Sequence, residues 1–473
     1  MPELLLALDV GTTSLGAGVF SPDGKLLAWS SRRLKTTSPA PGHLEQDPNA
    51  LWRATLAVTR AALADAGRSA EDLAAIGITT QRTSAMAWDQ RSGRALTPLV
   101  LWSDLRGIER AELLRGEGHF VAPQQAAAKL EGVVASAARG GDLAWGNIDS
   151  YLIWRLSGGA AHVTDRSQAW PTGYLDLSTM GWNQALIAHQ RLELAMFPRL
   201  VDTWGPIAET ATSVLGRPIP ITANIADQQS ALIAHGEATK VTYGTSATLD
   251  LGTGVALVLK DFSAPPFVVS SVGGAARFCV EGMVYTAGAA LDWVRGAMRS
   301  GTPAAFDGLA ASVPEAGGVW FLPALQGLGA PYGDAARRGS LGGLSLGATR
   351  AHIARAAIEG VAFRTREVFE HVHALVERDP PPALGVDGGL ASSDVFLQIQ
   401  ADLLGQPVRR HTLREATAGG AAICAARGAG LFGADETGGF VTYARTFEPS
   451  ISGDEAGGRF AAWKQAAYGG GSS

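Results

Sequence analysis

Three turns of the chain are made largely of glycine and hydroxyl residues: Asp9-Val-Gly11-Thr12-Thr13-Ser14, Tyr243-Gly244-Thr245-Ser246 and Asp387-Gly388-Gly389. Each follows an apolar, strand-like run. Such turns let the backbone come close to an anion and aim several N–H and O–H donors into one concavity, an arrangement that suits phosphate. A lone acidic turn, Ala226-Asp227-Gln228, lies between the first two. Phosphoryl chemistry needs an attacking hydroxyl that is aligned and relieved of its proton. Asp227 is the candidate base and Gln228 a neighbour able to hold a second hydroxyl. The alternative for Asp227 is a cap on the helix that starts at Gln228.

Asp9, at the end of the first strand, can hold Mg²⁺ through its water shell or simply stabilise its own turn. Arg82 can clamp substrate oxygens, although an arginine ending a strand is often a surface charge. Trp102 offers an aromatic floor for a carbon skeleton, or ordinary core packing.

The elements that must position these residues follow from periodicity and turn chemistry. Leu4–Val10, Leu15–Phe20 and Lys25–Ser30 read as an antiparallel meander turning at Pro22-Asp23-Gly24. Its first turn joins two strands, unlike a dinucleotide-binding loop, where a strand feeds a helix. A helix follows from Pro48 to Ala66, then a buried strand from Ala74 to Thr79. The second half restarts the pattern: strand Lys240–Tyr243, turn, strand Ala247–Leu251. A hairpin is expected around Arg277–Gly282, then a helix from about Ala289, a long helix Arg350–Val376, a strand Leu384–Val386 and a helix through Ala401. Two similar beginnings suggest an ancient duplication. The expected domains are 1–236 and 237–473, with a binding cleft between them.

At 473 residues the chain exceeds what one core usually supports. Its 39 basic and 44 acidic residues give a formal charge of −5. No basic stripe is present that could track a nucleic-acid backbone, so no nucleic-acid partner is expected. Leu4–Leu8 is too short for a signal-peptide core, and no run reaches the ~18 apolar residues of a spanning helix. The expectation is a cytoplasmic protein without a membrane partner. Cys279 and Cys424 read as buried thiols rather than a disulfide or zinc framework. Gly469-Gly-Gly-Ser-Ser473 has linker composition and is expected to be a disordered end. Nothing in the residues decides whether the chain forms a homo-oligomer.

Nine segments, in order, resemble the FGGY carbohydrate kinases, and within that family the chain is similar to the glycerol kinases. They are Leu8-Asp-Val-Gly-Thr-Thr-Ser14, Gly77-Ile-Thr-Thr-Gln-Arg82, Trp102-Ser-Asp104, Ile148-Asp-Ser-Tyr-Leu-Ile-Trp154, His162-Val-Thr-Asp165, Ala226-Asp-Gln-Gln229, Thr242-Tyr-Gly-Thr245, Leu328-Gly-Ala-Pro-Tyr332 and Val386-Asp-Gly-Gly389. The resemblance implies an α/β fold of two actin-like, ribonuclease-H-like domains closing on ATP, Mg²⁺ and a small polyhydroxylated substrate. It implies that Thr12, Thr13, Ser14 and Thr245 contact the nucleotide phosphates, and that Gly288, Asp292, Gly389 and Ser393 line the nucleotide pocket. Asp292 and Ser393 replace amide side chains usual in glycerol kinases. The glutamate that follows the family arginine is Thr83 here, the family tyrosine aligns near Gln124, and a pocket phenylalanine is Thr248. Losing a charged acceptor and an aromatic wall points to a longer polyol or a ketose, because a lost hydrogen bond to a three-hydroxyl substrate leaves a buried partner costing ~1–3 kcal/mol. The other readings are a pentulose kinase of the xylulokinase type, favoured by Gly244-Thr-Ser-Ala247, a non-catalytic nucleotide-gated actin-like scaffold, and a family member that binds substrate without turnover.

Overall fold

The computed structural model describes residues 3–137, 142–256 and 263–469. The glycine-serine end falls outside the described residues from position 470 onward. The chain divides into two compact units. The first comprises Met1–Ala234, Phe267–Arg277 and Thr417–Phe440, and the second His235–Pro266, Phe278–Ala416 and Val441–Ser473. Two stretches from beyond Gly236 are therefore part of the first unit.

The first unit is built on a sheet whose strands are β1 (Leu4–Val10), β2 (Ser14–Phe20), β3 (Leu26–Arg33), β4 (Leu73–Thr80), β5 (Trp204–Glu209) and β6 (Pro220–Ala226). Their order across the sheet is β5-β6-β4-β1-β2-β3. The meander β1-β2-β3 is antiparallel, while β1, β4 and β6 run parallel. Leu6, Leu8, Val10, Ile76, Ile78 and Ile221 fill the core, each burial stabilising by roughly 1.5–3 kcal/mol. Helix α1 (Pro48–Asp65) starts where Asp47 accepts the Asn49 N–H at 2.8 Å, with Pro48 in the first turn where its missing N–H costs nothing. Gly77 lies mid-strand because a Cβ there would meet the Ala421 carbonyl oxygen at 2.2 Å, where the helix Ala416–Gly428 packs.

The second unit repeats the plan. Strands β7 (Thr239–Tyr243) and β8 (Ala247–Gly252) pair antiparallel, and β8 pairs antiparallel with β9 (Ala275–Val284) through Cys279–Val284. On the other side β7 pairs parallel with β10 (Leu384–Asp387), β10 parallel with β11 (Val408–His411), and β11 antiparallel with β12 (Tyr443–Phe447). In both sheets the unit's first strand sits between its antiparallel second and a later parallel strand. The repetition suggested by the two similar beginnings is thus visible in strand order.

Helices α5 (Gly288–Ala297), α6 (Arg350–Val376) and α7 (Asp394–Leu404) belong to this unit. The hairpin expected around Arg277–Gly282 is present, but its turn lies earlier, at the positive-φ pair Gly273-Gly274, and residues 277–282 run straight through β9. Gly282 is there for space, since a Cβ would lie 2.5 Å from Val368 Cγ1 on α6. Cys279 and Cys424 are both buried. No helix among the described residues is long and apolar enough to cross a membrane.

Candidate active site

Register decides which residues of the first unit meet. Val10 and Ala226 both pair with Thr80, so three parallel strands end level. Immediately beyond them come Gly11–Ser14, Gln81-Arg82-Thr83 and Asp227-Gln228. Carboxyl ends of parallel strands are where open α/β sheets bind ligands, because the chain leaves the sheet there in different directions. Asp9 pairs with Thr79, one residue inside the edge. With adjacent strands ~4.8 Å apart, Asp9 and Ile225 stand about 10 Å apart across β4.

Asp227 opens helix α4 (Asp227–Ala234), and its Oδ1 accepts the Gln228 N–H at 2.8 Å. The same oxygen lies 3.6 Å from Arg82 Nε. The Arg82 guanidinium also sits 4.7 Å above the Phe267 ring centroid. Its side chain is 11% exposed, so it is an anchored cation rather than a surface charge. Thr83 adopts φ +56° and donates from Oγ1 to the Gln124 carbonyl at 2.5 Å. The structure therefore joins two of the positions that depart from the glycerol-kinase pattern.

Thr12 is committed within the protein. Its hydroxyl donates to Gln81 Oε1 at 2.8 Å and accepts from Trp102 Nε1 at 2.9 Å. Trp102 thus reaches the first glycine turn through its N–H, as well as presenting its ring. Behind it, Lys129 is 3% exposed and donates to the Leu101 carbonyl at 2.8 Å. Burial pushes Lys129 down to about 7, against the pull of the Asp104 carboxylate. Thr248 is buried in β8 of the second unit.

In the second unit, Thr242 pairs with Asp387, which sets the Gly244-Thr245 and Gly388-Gly389 turns side by side at the carboxyl ends of β7 and β10. Gly388 has φ +90°, and a Cβ there would lie 2.5 Å from the Tyr243 carbonyl oxygen. A Cβ on Gly288 would lie 2.4 Å from the Gly244 carbonyl oxygen, while Gly389 faces open space. The Thr245 carbonyl accepts the N–H groups of Ala287 and Ala289 at 2.9 and 3.1 Å, tying this turn to the start of α5.

Beneath the turns, Asp387 Oδ2 contacts His235 Nε2 at 2.8 Å and accepts from the Thr242 hydroxyl at 3.2 Å. Burial pushes the Asp387 carboxyl up, but His235 and Lys240 outweigh it and hold the group below the usual carboxylate range. Ser393 caps α7, accepting the Phe396 N–H at 3.0 Å. Asp292 lies one turn into α5, where it is exposed and paired with Arg295 at 2.8 Å.

The profile described as "FGGY family of carbohydrate kinases, N-terminal domain" matches residues 4–234, and its C-terminal counterpart matches residues 239–429. The chain belongs to the FGGY family of carbohydrate kinases. It is 37% identical to the glycerol kinase of Acinetobacter baylyi over 98% of both chains, and 39% identical to that of Thermus brockianus over 90% of both. The structure of Plasmodium falciparum glycerol kinase with ADP superposes at a TM-score of 0.89 with 22% identity, covering 99% of this chain and 98% of that one. Xylulose kinase from Lactobacillus acidophilus gives 0.84 with 23% identity over 99% of both. This FGGY kinase is an ATP-dependent sugar or polyol kinase with two actin-like α/β domains. The scaffold alternative falls away with that assignment.

Three residues of this FGGY kinase's site neighbourhood lack any sequence signal of their own. Phe267 reaches Arg82 only through the fold, Lys129 sits in an alanine-rich run, and Gln168 follows a recognised motif without being part of it.

Proposed function

We propose that this FGGY kinase transfers the terminal phosphoryl group of ATP to a hydroxyl of a polyol or ketose longer than glycerol. The observation carrying this reading is the Thr83–Gln124 hydrogen bond beside Arg82 and Asp227. Thr83 spends its proton on a backbone carbonyl and carries no charge. The Thr83–Gln124 side of the site therefore adds neither a carboxylate nor an aromatic face to those of Asp227 and Phe267, and a longer polyol backbone is accommodated there.

In the mechanism, Arg82 and Gln228 hold substrate oxygens and Trp102 supplies an apolar face. Asp227 takes the proton of the attacking hydroxyl as its oxygen bonds to the terminal phosphorus, and the bond to the ADP oxygen breaks. In the second unit Gly244, Thr245, Gly288, Gly388, Gly389 and Ser393 offer the nucleotide main-chain and hydroxyl donors, with Asp292 assigned to the same role, and in the first unit Gly11, Thr13 and Ser14 offer donors to phosphate. Within the first unit, Thr12 orients Trp102 and Gln81. Asp9 has the right donor chemistry for Mg²⁺. Held there, the ion would neutralise charge on the phosphates.

Glycerol is the second reading, favoured by the identity of the curated relatives. An ADP-release screen with ATP, Mg²⁺ and a panel of glycerol, tetritols, pentitols, pentuloses, hexuloses and aldoses separates them. The expected result is a strongest response to a four- or five-carbon polyol or ketose. Glycerol turned over much faster than any of these overturns the proposal.

A further inference from the structure

Arg82 and Asp227 each stand two residues beyond a main-chain carbonyl, those of Thr80 and Ile225, on neighbouring parallel strands β4 and β6. One side-chain nitrogen reaches both. Gln168 Nε2 donates to the Thr80 carbonyl at 3.0 Å, to Thr80 Oγ1 at 2.9 Å and to the Ile225 carbonyl at 3.3 Å. An amide nitrogen has only two N–H groups, so the three acceptors share them, and the two strand ends are pinned to one atom.

Gln168 is itself fixed. It lies in the short helix Arg166–Ala169, whose N-cap Asp165 accepts the Gln168 N–H at 3.0 Å and the Ser167 N–H at 3.0 Å. The Asn147 amide donates to the Gln168 carbonyl at 3.3 Å. Ser167 Oγ, which donates to Asp165 at 2.9 Å, accepts the Ala226 N–H at 2.8 Å. Two successive side chains of one turn therefore engage the last main-chain groups before Asp227. Gln168 is 0% exposed, so its bonds are made away from competing water and carry more positional weight.

We propose that Gln168 is a positioning residue that sets the separation of Arg82 and Asp227. It acts through the strand ends that carry the two charged groups. Its effect on turnover rests on the reading of Asp227 as base, but its effect on geometry does not. The side chain's donors are what matter, so an isosteric replacement that lacks them loosens β4 from β6 while the rest of the unit keeps its packing.

The test uses the full chain carrying Gln168→Met, with Gln168→Glu as a second variant in case one fails to fold. Crystal structures of variant and wild type in one crystal form report the distance from Arg82 Nε to Asp227 Oδ1. Steady-state assays with glycerol and with xylulose as acceptors report kcat and KM. The expected result is a distance beyond 4 Å, with kcat down at least tenfold and KM for ATP within about twofold of the wild type. A widened distance with unchanged kcat supports the positioning role and removes Asp227 as base. An unchanged distance in the variants overturns the inference.

Discussion

Arg82 and Asp227 meet at 3.6 Å across the level ends of two neighbouring parallel strands, and the Arg82 guanidinium lies over the Phe267 ring, 4.7 Å from its centroid. The arginine is held from two directions before any substrate arrives. A carboxylate beside a fixed cation is aimed rather than free to swing, which is what a base needs to meet a hydroxyl in line with a phosphoryl group.

Asp227→Asn keeps the shape and the bond from the Gln228 N–H but cannot take a proton. General-base contributions run to roughly 10²–10⁴-fold. ADP release with the best acceptor is expected to fall at least 100-fold, with ATP affinity by calorimetry within about twofold. Retention of more than about a tenth of the activity removes Asp227 from the role of base.

Gly388 and Gly389 separate stability from binding. Gly388→Ala forces a side chain into φ +90° and 2.5 Å from the Tyr243 carbonyl oxygen, so a loss of roughly 2 kcal/mol or more is expected in thermal unfolding. Gly389 has φ −61° and open space around the new Cβ. Its alanine variant should be as stable as the wild type within about 1 kcal/mol, yet bind ATP at least tenfold more weakly if this backbone lies against the nucleotide. Unchanged ATP affinity in a stable Gly389→Ala protein takes Gly389 out of the nucleotide site.

These two glycines also show what could be read from the residues alone. An apolar run ending in Gly-Thr or Gly-Gly is a local signal, and β1, β7 and β10 with their turns were legible for that reason. The level ending of Val10, Thr80 and Ala226 is a property of long-range pairing, which no local pattern encodes. Gly282 shows the same limit, because a glycine required by the close approach of α6 has the same one-letter signature as a turn. Buried polar residues such as Gln168 and Lys129 are invisible until their partners are known, since exposed and buried amides look alike in sequence.

His162 gives the protein an acid-sensitive hinge in its stability curve. Its Nε2 contacts the Trp145 carbonyl at 2.9 Å and its ring packs edge-on to Trp88 at 5.1 Å. Burial pushes it down to about 4, against the raising effect of that carbonyl. The unfolded chain therefore takes up this proton near pH 6.5 and the folded one only near 4. The stabilising contribution is complete above pH 6.5 and is lost as pH falls to about 4. In urea unfolding across that window, His162→Gln is expected to reduce the total loss of stability between pH 6.5 and 4 by roughly 1–3 kcal/mol, allowing for partial exposure. Parallel slopes for variant and wild type would show that another group sets the acid limb.

Thr83 is the position at which substrate choice is most directly tested. A β-branched residue at φ +56° is costly, by roughly 1–3 kcal/mol, and here the hydroxyl bond to the Gln124 carbonyl at 2.5 Å helps hold it. Replacing it with glutamate removes the β-branch, frees that carbonyl and places a charged acceptor next to Arg82. A hydrogen bond to a charged group contributes roughly 1.5–3 kcal/mol, and a short substrate with few hydroxyls gains most from it. Thr83→Glu should therefore raise the ratio of kcat/KM for glycerol over that for a five-carbon ketose on the order of 10- to 100-fold. The ratio is read by ADP release with both acceptors on folded variant and wild type. If it stays put or moves toward the ketose, Thr83 does not form the substrate wall, and the basis for expecting a substrate longer than glycerol goes with it.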